Sequence, residues 1–314
     1  MTQWTTADIP PQADRTAIVT GTGGLGFETA LALAGAGGDV ILAGRSAVKG
    51  AEAVAAIAAA TPGAAIRFEM LDLASLASVK DFAARLIGQD RQIDILVNNA
   101  GVMAPPVRRT TADAFELQFG TNYLGHYALT ALLLPLLRRG SRPRVISVSS
   151  IAHRRATMNF EDLNYASGYR GWLSYGQSKL AMLIFALELQ RRSDAAGWGL
   201  TSIAAHPGFS RTALIANGPG ADSAMAWLSK PFMPFISQSA AAGAWPQIYA
   251  ATAPDAKPGG YYGPDGFREL KGGVAPAEIR PQALVAGVGG RLWDASAKLT
   301  GIAFPALDPA AAAA

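Results

Sequence analysis

"VTGTGGLGFETA", residues 19–30, sets four glycines within positions 21–26, directly behind the apolar run "TAIVT" (16–20). Gly21, Gly23 and Gly26 satisfy the spacing G-x-G-x-x-G, and the stretch 26–36 that follows reads as helix. In the order strand, glycine loop, helix, such a backbone turns tightly, approaches a pyrophosphate closely and presents helix N-terminal amides to phosphate oxygens. The stretch predicts the first nucleotide-binding turn of an α/β fold.

The rest of the chain repeats that alternation. Further strand candidates are "DVILA" (39–43), "IRFEM" (66–70), "DILVN" (94–98), "RVISVS" (144–149) and "LTSIAA" (200–205), with alanine- and leucine-rich helical stretches such as 46–60 and 74–88 between them. Near-continuous apolar strands separated by helices predict a doubly wound parallel sheet of Rossmann type with both faces covered. The alternation stops near residue 206. "HPGFSRT" and "AMAWLSKPFMPF" follow, then helix candidates at 239–251 and 283–301 and a low-complexity alanine tail. One domain is expected, with a core at about 14–212, a substrate lid and C-terminal extension at 213–305, and a frayed end at 306–314.

Composition narrows the chemistry. Half of the 314 residues are hydrophobic, ample for a core, and no apolar run reaches the roughly 18 residues of a membrane span. The N-terminus lacks the layout of a signal peptide, so the cytoplasm is the expected compartment. Zero cysteines exclude disulfides and thiolate chemistry. The three histidines, His126, His153 and His206, have no metal-ligand spacing. A net charge of +4 with scattered basic residues carries no nucleic-acid module, and "HRRA" (153–156) reads as a solvated loop.

At the end of the second strand an NAD-binding protein of this layout carries an acidic residue for the ribose hydroxyls. Here "ILAGRS" has Arg45, with Lys49 one helical turn on, and Asp39 lies at the wrong end as a solvated strand start. Two cations there suit a 2′-phosphate, so NADP(H) is preferred and NAD(H) possible.

Further along, "SYGQSK" places Tyr175 and Lys179 four apart at the start of a helical run, on one face. A neighbouring ammonium lowers a phenol's pKa from its ordinary value near 10. "RVISVSS" ends a strand in Ser149 and Ser150; "ILVNNAG" ends another in Asn98, Asn99, Ala100 and Gly101. Both ends fall at the carboxyl edge, where open α/β sheets bind ligands. Asn122 sits inside the apolar "GTNYLGHYALTALLLPLL". At these residues the chain resembles the short-chain dehydrogenase/reductase family of NAD(P)-dependent oxidoreductases. The glycine loop, Asp72 of "LDL", "NNAG", the Asn…Ser…Tyr-x-x-x-Lys set and "HPG" match it in order over residues 14–212. "NYLGHYALTALLLPLL", "VSSIAH" and "RLWDASAKLTG" further resemble the branch of retinol dehydrogenases and protochlorophyllide reductase-like proteins.

The resemblance implies an alcohol–carbonyl oxidoreductase. Tyr175 is then the general acid/base, and Lys179 holds the nicotinamide ribose and depresses the tyrosine's pKa. Ser150 steadies the substrate oxygen, and Asn122 holds a water that connects Lys179 to solvent. Gly21, Gly23, Gly24, Leu25 and Gly26 take the pyrophosphate. Asp72 and Leu73 take the adenine, Asn98, Ala100 and Gly101 the adenosine side, and Pro207, Gly208 and Thr212 the carboxamide. Two features depart from the family's usual form. The loop has two residues, not three, between Gly21 and Gly24, and the one missing lies where NADP-using members often reach the adenosine phosphate. Ser150 and Tyr175 stand 25 positions apart, the gap holding an insert expected to border the substrate entrance.

Trp172, Trp227, Phe232 and Phe235 are candidate linings for a bulky, apolar alcohol or carbonyl substrate. Homodimers or tetramers through the helices bearing Asn122 and Tyr175 are what the family implies. Competing readings are a carbon–carbon double-bond reductase, for which the absent cysteine is unfavourable, a non-catalytic nucleotide sensor, and a dehydratase or isomerase on the same fold.

Overall fold

The computed structural model of the chain describes residues 3–210 and 237–305. Its strands are β1 (Thr16–Thr20), β2 (Asp39–Gly44), β3 (Ile66–Met70), β4 (Ile95–Asn98), β5 (Arg144–Val148), β6 (Thr201–Ala205), β7 (Tyr261–Pro264) and β8 (Val274–Pro276). They make one sheet in the order β3-β2-β1-β4-β5-β6-β7-β8, parallel except for the antiparallel edge strand β8. Strand order reverses at β1, between β2 and β4, which opens a crevice at the carboxyl edge.

All six strand runs of the sequence reading are strands; the central ones are buried on both faces, and β3 at the sheet's edge is only partly buried. In β1, Ile18 packs into one layer while Ala17 and Val19 pack into the other. The layer under Ala17 and Val19 is built on α1 (Leu25–Gly35), α2 (Ala47–Ala60) and α6 (Ala240–Thr252). The opposite layer holds α3 (Leu76–Gly88), α4 (Gly125–Leu137), α5 (Gly171–Ala196) and α7 (Val288–Thr300). Fully burying one Leu, Ile or Phe side chain is worth about 1.5–3 kcal/mol, so these two layers dominate stability. No described helix is long and apolar enough to cross a membrane.

In the C-terminal extension, β7 and β8 widen the sheet and α6 packs along α1. Two expectations, on Asp39 and on 153–156, are corrected here. Residues 213–236, with Trp227, Phe232 and Phe235, and the tail 306–314 lie outside the described residues. Asp39 is not merely solvated, since its carboxylate bridges Arg67 (3.3 Å) and Arg91 across the sheet's amino edge. Nor is 153–156 a solvated loop. His153 is fully buried in a 3-10 turn, Ile151–Arg155, and Arg154 is ion-paired to Glu269 at 2.6 Å.

α7 and Phe304 pack on part of α4 and α5, the helices expected to meet a second subunit. Trp293 of α7 stacks on Phe185 (5.8 Å, 25°) and meets Tyr127 edge-on, while Phe304 packs on Trp293, Tyr127 and Trp198. Tyr123 bonds Ser296 at 2.6 Å beneath them.

Candidate active site

The glycine loop leaves β1 at Thr20 and ends at Leu25, the first residue of α1. Only a glycine fits at 26, where an added Cβ would stand 2.1 Å from the Gly21 carbonyl oxygen and 2.7 Å from the Asn99 amide nitrogen. That close packing of helix start on strand end holds the loop short and taut. Asn99 supplies the clamp: its Nδ2 donates to Thr20 O (2.7 Å), and its Oδ1 accepts from Gln247 Nε2 of α6 (3.2 Å). The backbone N–H groups of Asn99 and Ala100 both donate to Thr20 Oγ1 at 2.9 Å.

Behind this junction lies His126, fully buried, its Nδ1 2.8 Å from the Asn122 carbonyl oxygen and its Nε2 2.9 Å from Thr20 Oγ1. A carbonyl only accepts, so Nδ1 carries the proton and Nε2 accepts from the Thr20 hydroxyl. Burial, first of all, lowers its pKa to about 3, with the bond to Asn122 opposing, and the ring is neutral. Thr20, Asn99, His126 and Gln247 were missed as site residues. A polar residue inside the apolar run "NYLGHYALT" was the available signal for His126, whereas nothing in the sequence pairs Gln247 with residue 99.

Asn122 lies on a π turn, Phe119–Leu124, closed by Gly125 N–H on Gly120 O. One extra residue in the helical turn of this kind is common at functional sites. Its side chain is fully engaged: Oδ1 accepts from Val102 N (2.7 Å), and Nδ2 donates to Val102 O and Ser178 Oγ, both at 2.9 Å. It braces the loop after β4 against α5, one residue from Lys179. Both of its amide hydrogens are thus engaged within the chain.

Ser150 caps the turn after β5, and its hydroxyl is bonded to that of Tyr175. Tyr175 is 5% exposed and Lys179 4%, both on α5, which spans 26 residues and is buried through its middle. Lys179 Nζ donates to Val148 O at 2.9 Å and lies 5.9 Å from the centre of the Tyr175 ring. Ser149 turns away and donates to Lys179 O at 2.8 Å, fixing β5 on α5. The expected depression of the phenol does not occur. Burial pushes the Tyr175 hydroxyl up to about 12, only partly offset by the Ser150 bond, and burial brings Lys179 down to about 8. Desolvation disfavours both charged forms, and the ammonium is engaged with a backbone carbonyl. Burial thus favours the neutral phenol at Tyr175.

The remaining expected residues divide. Asp72 accepts from Ala74 N (2.9 Å) at the end of β3, and Leu73 is buried against Gly125 of α4. Gly101 faces Asn122 Oδ1 and Lys179 Nζ. Arg45 and Lys49 are exposed beside the glycine loop, and neither forms an ion pair with a described residue. Pro207 and Gly208 form the turn after β6. Thr212 lies outside the described residues. Asn98 is fully buried, and its side-chain amide donates to Thr130 Oγ1 of α4 (3.0 Å).

These residues fit a dinucleotide. The loop leaves open space at Gly23, where an added Cβ would meet nothing within 4 Å, at the N-terminus of α1, with the exposed Arg45 and Lys49 beyond the end of β2. The loop, the β4 end and the Ser150–Tyr175 pair then follow one another along the carboxyl edge from β1 to β5.

The sequence profile described as short chain dehydrogenase matches residues 15–219. Retinol dehydrogenase 13 of Mus musculus is 42% identical over 295 residues, covering 92% of this chain and 85% of that protein. Polyprenol dehydrogenase of Mus musculus is 40% identical over 303 residues, covering 93% and 86%. Among solved structures, an uncharacterized protein from Mycobacterium Paratuberculosis aligns with a TM-score of 0.79 at 40% identity, over 97% of this chain and 100% of that one. The Pseudomonas aeruginosa RhlG/NADP active-site complex aligns at 0.63 and 25% identity, over 80% and 94%. The chain belongs to the short-chain dehydrogenase/reductase family, in its retinol-dehydrogenase-like branch, and is an oxidoreductase of CH–OH groups.

Proposed function

We propose that the protein is an NADP(H)-dependent oxidoreductase that interconverts a bulky, apolar alcohol and its carbonyl compound. The observation that carries this reading is the dry Ser150–Tyr175–Lys179 group at the carboxyl edge. When bound, the nicotinamide cofactor supplies or accepts the hydride. The chain's own residues handle orientation and the proton. Ser150 donates a hydrogen bond to the substrate oxygen where negative charge develops. Tyr175, held as a phenol by burial, delivers its proton to that oxygen, which suits reduction of a carbonyl. Lys179, anchored on Val148 O, stands over the phenol's edge and stabilises the phenolate that remains. Arg45 and Lys49 take the 2′-phosphate, and RhlG in its NADP complex supports that preference.

The apolar substrate class draws on Trp172. Its ring meets Tyr175 edge-on at 6.0 Å and is 57% exposed, an aromatic surface at the mouth of the site. Relatives named for retinol and polyprenol, both apolar alcohols, point the same way.

Separate titrations with NADPH and NADH, read by nicotinamide fluorescence, test the cofactor assignment. NADPH is expected to bind at least about tenfold tighter, about 1.4 kcal/mol, and Arg45→Asp to erase that margin. An unchanged ratio in Arg45→Asp removes Arg45 from the phosphate site. A screen of long-chain apolar aldehydes and ketones with the preferred cofactor then tests the substrate class; turnover confined to small polar carbonyls overturns it.

A further inference from the structure

Glu269 lies far from the catalytic group in sequence, yet its carboxylate joins two turns of the site. Oε2 accepts from His206 Nε2 at 2.7 Å and from Arg154 Nη2 at 2.6 Å, while Oε1 accepts from Glu278 N at 3.2 Å. Arg154 belongs to the turn that Ser150 caps, and its Nη1 donates to Arg268 O at 2.9 Å. His206 opens the Pro207–Gly208 turn after β6. Its Nδ1 accepts from Gly208 N (3.1 Å), so Nε2 carries the proton and donates to Glu269. Burial keeps His206 neutral, and Arg154 balances the carboxylate.

The contact is tight and strained. Gly208 has φ +61°, and a Cβ there would lie 2.4 Å from Leu270 O and 2.9 Å from Glu269 O. Phe209 N donates to Leu270 O at 2.7 Å, pinning the same turn. Arg268 and Glu269 both adopt left-handed backbone, φ +52° and +56°, which two consecutive non-glycine residues hold only where their surroundings over-determine it. Such strain clusters at functional sites. A surface turn that merely closed β7 onto β8 would not require it.

The position of this carboxylate follows the direction a dinucleotide must take. The glycine loop at β1 and the Arg45 side hold its phosphates. Its redox end must meet the carbon whose oxygen Ser150 and Tyr175 hold, beyond β5. Ser149 N is bonded to Ala205 O there, so the next backbone along the edge is the Pro207–Gly208 turn.

We propose that Glu269 is a positioning residue for the nicotinamide end of the cofactor: through His206 and Arg154 it fixes the Pro207–Gly208 turn against the Ser150 turn. The inference rests on the dinucleotide reading above. It is tested with the full chain by calorimetric titration of Glu269→Gln with NADPH and with 2′-phospho-ADP-ribose, which lacks the nicotinamide. If the unsubstituted chain prefers the unphosphorylated form, NADH and ADP-ribose replace them. The expected result is a split: NADPH binding weakens about tenfold or more while the fragment binds within twofold of the unsubstituted chain. A purely structural role moves both ligands alike. Should Glu269→Gln fail to fold, Arg154→Gln removes the other end of the same link and must produce the same split. Equal loss of both ligands, or loss of neither, overturns the inference alone. Binding of neither ligand by the unsubstituted chain overturns the dinucleotide reading and this inference with it.

Discussion

At the scale of single residues, the phenol of Tyr175 is the group whose chemistry has no substitute in the site. Tyr175→Phe keeps the ring against Trp172 and removes only the proton. Turnover of a carbonyl substrate is expected to fall by about 10²–10⁴-fold, the range for loss of a general acid, with the NADPH dissociation constant within about twofold of the parent. Near-normal turnover would return the proton to another group. The Tyr-x-x-x-Lys pattern was legible in the sequence because i and i+4 share a helix face. Its electrostatics were not. Spacing predicts an ammonium that lowers the phenol, while burial of Tyr175 raises it, and only packing states how buried that stretch of α5 is.

At the scale of elements, the glycine loop and the π turn of α4 are joined by hydrogen bonds that no local pattern encodes. Gly26→Ala drives a Cβ into the Gly21 carbonyl. It should cost about 1–3 kcal/mol, as overpacking does, and abolish fluorescence-detected NADPH binding. Unchanged binding would mean that the loop tolerates the shift. The six central strands and the G-x-G-x-x-G turn were legible because buried parallel strands read as apolar runs and helix starts follow them. Strands β7 and β8 were not: "YYGP" and "VAP" are three or four residues long, carry prolines and gain strand form only by pairing at the sheet's end. The solvated reading of 153–156 failed for a related reason, since Arg154 is held by Glu269 and the Arg268 carbonyl and His153 packs against Tyr261, more than a hundred residues away.

At the scale of the molecule, α7 and Phe304 pack on part of α4 and α5. Trp293 is 5% exposed, packed on Phe185 and Phe304 and capped by Arg192 at 4.5 Å. Trp293→Ala should destabilise the fold by about 3–5 kcal/mol, measured by chemical denaturation, and expose an associating surface, seen as growth in mass by light scattering. A loss under about 1 kcal/mol would show that α7 does not hold this face. Stability should also fall in acid. Burial lowers His126 to about 3 and His153 to about 4, below the ordinary value near 6.5. The unfolded chain therefore takes up protons first. The histidine contribution is complete above pH 6.5 and declines as pH drops through 4 and 3, each ring steepening the fall by up to about 1.4 kcal/mol per pH unit. Glu269, held down to about 2 against the cost of its burial by His206, the Glu278 amide and Arg154, adds a loss of the same sign below its ordinary 4.5. Denaturation midpoints at pH 7.5 and 4.5 measure the slope, and His153→Gln should flatten it.

The sequence by itself determined the six central strands, the first glycine turn and the presence of Ser150, Tyr175 and Lys179 toward one edge, because apolar runs and i, i+4 spacing are local properties of the chain. Tertiary structure alone decided which polar groups are buried, that Asn98 bonds Thr130 and Asn122 bonds Val102 and Ser178, that α7 packs on α4 and α5, and that Glu269 meets His206 and Arg154. Those outcomes depend on contacts between segments far apart in the chain, where burial and partner, not residue type, set charge and role.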